Sequence, residues 1–106
     1  IITYEDVNKH KPFPDAYQLA LRLSNQSGVN CLAIEDSTIG VEAAKAANIH
    51  CLLTIAPWAN SKQNITNKAN ACVTSLGNFN NPSKLIYGKK LISNNVDFEY
   101  LTNIIN

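Results

Sequence analysis

The sequence predicts an α/β fold in which helices flank a parallel sheet, and three stretches carry that expectation. "VNCLAIE" at residues 29–35 is a nearly unbroken apolar run ending in charge, the pattern of a strand covered on both faces. "IHCLLTIA" at residues 49–56 has the same character. Between them Gly40, Ala43, Ala44 and Ala47 share one face of a helix that Ser37 or Thr38 can cap, and small side chains let such a helix lie close against a sheet. Strand, helix and strand in that order suggest a right-handed parallel crossover.

The other elements follow from spacing and punctuation. Ala16, Leu19, Ala20 and Leu23 recur at i, i+3, i+4 and i+7, which predicts a helix with that stripe inward. Pro14 suits its start, where a missing N–H costs nothing, and Asp15 complements the positive end of its dipole. Gly28 is expected to close that segment and Asn48 to stop the next helix. "ACVTSL" at 71–76 reads as a third, shorter strand. Residues 57–69 read as a surface loop, with Trp58 over one edge, and 78–84 as a second loop. "VDFEYLTNII" at 96–105 reads as a terminal helix using Phe98, Leu101 and Ile105.

A chain of 106 residues that is 45% hydrophobic is one domain or part of one. Its net charge of +1, with both signs interspersed, offers nothing to attract nucleic acid or an anionic membrane. No apolar run approaches the roughly 20 residues that span a bilayer, and "IITYEDVNK" lacks the plan of a secretory signal. Cys31, Cys51 and Cys72 are odd in number, scattered and set in apolar segments, so they read as small core residues of a protein kept in reducing surroundings. The expected compartment is the cytoplasm, with the plastid stroma as alternative. Because the first residue is Ile1, the chain is expected to begin partway along a longer one.

Glu35 and Asp36 stand where the first strand ends and a helix is about to begin, and ligands of open α/β sheets collect outside such strand ends. Two adjacent carboxylates repel, so a cation there relieves them, and hard oxygen donors suit Mg²⁺. The plainer alternative is that one caps the helix and the other is solvated. Lys11 poses a similar choice between an ordinary solvated lysine and a positioned ammonium. In "KHKPFPDAY", residues 9–17, Pro12 restricts the Lys11 backbone and the rigid start of the following helix limits its wandering. An ammonium so held suits the charge of a transferring phosphoryl group.

"KPFPDAYQLAL" from Lys11, followed after a helix and a strand start by "LAIEDSTIGVEAAKAANIHCLL", resembles the C-terminal half of the haloacid dehalogenase-like hydrolases. The resemblance is to the branch of CbbY, phosphoglycolate phosphatase and β-phosphoglucomutase, covers residues 1 to about 76, and leaves 77–106 as a loosely similar tail. It implies a partial Rossmann-like core and Mg²⁺-dependent phosphoryl transfer through an aspartyl-phosphate, on a sugar phosphate or another small phosphorylated metabolite. Lys11 would be the catalytic, phosphate-binding lysine, and Asp36 helped by Glu35 would hold the metal. The family's D-x-D-x-T/V nucleophile segment occurs nowhere in this chain, and neither its phosphate-binding Ser or Thr strand nor a cap domain precedes Lys11. The 106 residues are therefore expected to be the C-terminal part of such a core, inactive alone, with an open edge on the 29–35 strand. Two other readings stand beside this one: a non-catalytic structural module of the same fold, and a receiver-like signalling domain. Receivers place the acidic pair before the lysine, whereas here Lys11 precedes Glu35 and Asp36.

Overall fold

The computed structural model describes Ile2, residues 4–56 and residues 67–106. Ile1 and, with Trp58, residues 57–66 of the expected surface loop lie outside the described residues. A turn at His10–Phe13, closed by the Phe13 N–H donating to the His10 carbonyl at 3.0 Å, leads into helix α1, Asp15–Ser24. Strand β1, Leu32–Glu35, helix α2, Thr38–Ala46, and strand β2, His50–Thr54, follow. Strands β3, Ala71–Val73, and β4, Leu85–Gly88, precede helix α3, Phe98–Ile105.

Among the described residues the sheet has the order β1-β2-β3-β4. The first three strands are parallel, with Leu32 opposite His50, Glu35 opposite Leu53 and Leu53 opposite Cys72. α2 thus connects two parallel neighbours, β1 and β2, as expected. Strand β4 runs antiparallel to β3, with Cys72 opposite Tyr87; the sequence reading has no strand there. β1 has a free edge among the described residues, and Ile34 on it is 44% exposed.

Strand alternation sends successive side chains to opposite faces, and each face has its own core. Ala33, Cys51, Leu53 and Cys72 pack under α2 with Val41, Ala44 and Ala47, and Tyr17 and Leu21 of α1 close that side. Leu52, Ala71 and Val73 face the other way against Tyr100 and Ile104 of α3. β2 and β3 are thus covered on both faces, whereas β1 departs from the expectation: Ala33 and Glu35 are buried on one face and Ile34 on the other is exposed.

Several details depart from the periodicity reading. Leu23 is 72% exposed, so α1 is rotated from the expected stripe and turns Tyr17 and Leu21 inward. Asn25, not Gly28, ends α1: it takes a left-handed φ of 54°, and the Gln26 N–H reaches back to the Leu21 carbonyl at 3.1 Å. Asn48 ends α2 the same way, with φ 59° and the Ile49 N–H on the Ala44 carbonyl at 3.0 Å. Asparagine tolerates this conformation better than other residues with a Cβ. Gly28 serves a different purpose: a Cβ there would lie 2.5 Å from the Asn48 carbonyl oxygen, so its bareness lets the α1–β1 and α2–β2 turns touch. In α3, Asp97 accepts from the Tyr100 N–H at 2.8 Å, and Tyr100 and Ile104 face inward while Phe98 is 84% exposed.

The cysteines behave as core residues. Cys51 and Cys72 are fully buried and Cys31 is half-buried, all as free thiols. Burial pushes the Cys51 thiol from 9.0 up to about 11, aided by the Glu35 charge, and burial alone does the same for Cys72. A raised folded-state pKa favours the protonated native form, so the stability these thiols support is complete below pH 9.0 and is lost as pH rises toward about 11. The urea midpoint is expected to be lower at about pH 10 than at about pH 8. A thiol reagent at neutral pH should titrate Cys31 first, and Cys51 and Cys72 only on unfolding; equal rates for all three would contradict this packing.

Candidate functional site

β1 delivers Glu35 to the carboxyl end of the sheet, and the chain then turns through Asp36 into α2. Ser37 caps that helix, its Oγ accepting the Gly40 N–H at 3.2 Å. Glu35 is 8% exposed, and a buried carboxylate is tolerable only when paired and hydrogen-bonded. Both conditions are met on one oxygen. Lys11 Nζ donates to Glu35 Oε2 at 2.7 Å, and the Tyr17 hydroxyl donates to the same Oε2. The Lys11 ammonium also lies 5.2 Å from the centroid of the Tyr17 ring, within cation–π range.

The other carboxylate oxygen is fixed by absence of bulk. A Cβ on Gly40 would fall 1.9 Å from Glu35 Oε1, so Oε1 occupies the space a side chain at 40 would take. This places the charge beside the first turn of α2, where the helix dipole favours an anion. The Thr54 hydroxyl donates to the Glu35 carbonyl at 3.4 Å, tying the ends of β1 and β2. Burial, then the hydrogen bond to Glu35 and its charge, push the Tyr17 phenol above its ordinary pKa of 10.0, so it is a permanent donor at neutral pH.

Of the residues singled out from sequence, Lys11 and Glu35 are brought into contact. Asp36 is their neighbour in the chain but is not drawn into that contact: it is exposed and makes no hydrogen bond or ion pair among the described residues. The cation that relieves Glu35 is the Lys11 ammonium. Asp36 carries hard carboxylate oxygens of the kind Mg²⁺ takes, with no partner among the described residues. Glu35 has Oε2 committed to Lys11 and Tyr17. No group of three or more His, Cys, Asp or Glu that could hold a metal occurs among the described residues, so further ligands would come from elsewhere. Sequence reasoning missed Tyr17 and Gly40. The signal for Tyr17 was its place six residues after Lys11 on a helix; its inward face was hidden by the competing aliphatic stripe.

Residues 1–54 match the family model for haloacid dehalogenase-like hydrolases, a stretch that contains Lys11, Tyr17, Glu35 and Asp36. The chain belongs to that family. Within it, a CBBY-like protein of Arabidopsis thaliana is 44% identical over 48 residues, 45% of this chain and 15% of that protein. The putative phosphatase YhcW of Bacillus subtilis is 43% identical over 53 residues, 50% of this chain and 24% of that one. A mutant CbbY of Rhodobacter sphaeroides, solved with xylulose-1,5-bisphosphate, superposes with a TM-score of 0.61 at 30% identity, over 72% of this chain and 34% of that one. The matches thus span between about a seventh and a third of their relatives' length.

Gly40→Ala tests the packing. Helix propensity alone would make it stabilising by about 1 kcal/mol. The collision with Glu35 is expected to reverse the sign, to a loss of about 1–3 kcal/mol in urea unfolding. A stabilised variant would show that the carboxylate does not rest on this glycine.

Proposed function

We propose that this chain is the lysine and metal half of a Mg²⁺-dependent phosphohydrolase acting on a small phosphorylated metabolite, a sugar phosphate or similar organic phosphate. The observation that carries the reading is the Lys11 ammonium fixed on Glu35 at the carboxyl end of β1, one residue from the free carboxylate of Asp36. Lys11 is 39% exposed, and an ammonium has three donors. One is spent on Glu35; the others are available to an anionic ligand.

In this reading Lys11 binds the phosphoryl oxygens and offsets the charge that an attacking anion must approach. Asp36 would hold Mg²⁺, which would supply further positive charge at the same phosphoryl group, while Glu35, committed to Lys11 and Tyr17, would act on the site through Lys11. The attacking carboxylate comes from outside the 106 residues, since no D-x-D segment occurs in them. The family match, the phosphatase among the relatives and the sugar bisphosphate in the CbbY complex support the substrate class. The missing D-x-D equally favours a non-catalytic module of the same fold, and turnover separates the two.

In the full-length protein, Asp36→Ala is expected to lower Mg²⁺-dependent hydrolysis of an aryl phosphate by about a hundredfold and to weaken its Mg²⁺ dependence. Rates within about twofold of wild type would remove Asp36 from the metal site. Lys11→Arg keeps the charge but replaces a compact ammonium with a planar fork. A substantial loss of kcat/KM is expected; no change in either Lys11→Arg or Lys11→Ala would make Lys11 a surface lysine. Residues 1–106 alone are expected to show no turnover.

A further inference from the structure

Lysine carries its charge on a long, freely rotating stem, and one contact to one oxygen leaves that charge free to pivot. In this site the pivot is closed from a second direction. The Tyr17 hydroxyl donates to the very oxygen that Lys11 holds, and the same ammonium lies over the Tyr17 ring, 5.2 Å from its centroid. The carboxylate cannot swing away to follow a moving lysine, because Gly40 leaves room for Oε1 in one place. Tyr17 is itself anchored, since its ring packs on the core beside Leu21 and Cys51.

We propose that Tyr17 is the positioning residue of this site: its hydroxyl, through Glu35, and its ring, directly, hold the Lys11 ammonium at one point. The proposal rests on the reading of Lys11 as a phosphate ligand for its catalytic consequence, but not for its geometry. A phenylalanine at 17 keeps the ring and loses the link through Glu35; a leucine loses both. The two contributions are therefore separable.

The test has two arms on the full-length protein. In the first, side-chain ¹⁵N relaxation of Lys11 Nζ is compared with that of Lys90, an exposed lysine, without substrate or metal. Lys11 is expected to be the more ordered in wild type, to lose part of that order in Tyr17→Phe, and to fall to the level of Lys90 in Tyr17→Leu. Unchanged order in both variants overturns the proposal. In the second arm, kcat for an aryl phosphate is expected to fall by about tenfold in Tyr17→Leu and less in Tyr17→Phe. In a Lys11→Ala background Tyr17→Phe should cost nothing more, because a residue acting through Lys11 has no effect once Lys11 is gone. An equal loss in both backgrounds would mark Tyr17 as merely structural and overturn the proposal. If Lys11 loosens as expected while Lys11→Ala retains full turnover, positioning stands and the phosphohydrolase role of Lys11 falls.

Discussion

One oxygen atom organises this end of the molecule. Glu35 Oε2 takes a proton donor from the loop before α1 and another from α1 itself, while its carbon frame rests on α2. A carboxylate at the buried end of a strand carries a large desolvation cost, and only donors brought by neighbouring elements offset it. The site is therefore also a joint: the His10–Phe13 turn, α1, β1 and α2 meet there, and a shift of the turn or of α1 away from β1 would leave that charge under-paired.

Two carboxylates adjacent in sequence end in different circumstances. Glu35 points with Ala33 to the face that α1 and α2 cover, whereas Asp36 follows it out of the strand into solvent. Alternation at a strand end is enough to separate them. Their mutual repulsion, which looked in the sequence like a demand for a metal, is eased first by geometry and by Lys11. What is left for an external cation is the exposed partner of the pair.

The apolar runs at 29–35 and 49–56 gave away β1 and β2 because a run of apolar residues leaves a signature in composition that needs no knowledge of its neighbours, although only β2 proves buried on both sides. Ser37 and the small residues after it did the same for α2. α1 was harder: Ala16, Leu19, Ala20 and Leu23 are as regular as Tyr17, Ala20, Leu21 and Ser24, and only the position of the sheet decides which face turns in. β4 was invisible for a related reason. "LIYG" is short and only half-buried, and its partner is supplied by β3 across an irregular register at Cys72 and Val73. Lys11 and Glu35 could be named from motif order, but their contact is a tertiary fact, and Tyr17 entered the site only once the rotation of α1 was known.

Gly28 and the Asn48 carbonyl meet at the opposite end of the sheet from Glu35. α1 and α2 both begin at the site and run away from it, so this seam is where their far ends are set. α1, with 10 residues, is a lever about 15 Å long. A change in spacing at the seam would reach Tyr17 on α1 and Gly40 on α2 as a change in angle. The tolerance of the charged joint is thus fixed partly by a contact that holds no charge and touches no ligand, and the hydrogen atom at position 28 is as much a dimension of the site as any side chain in it.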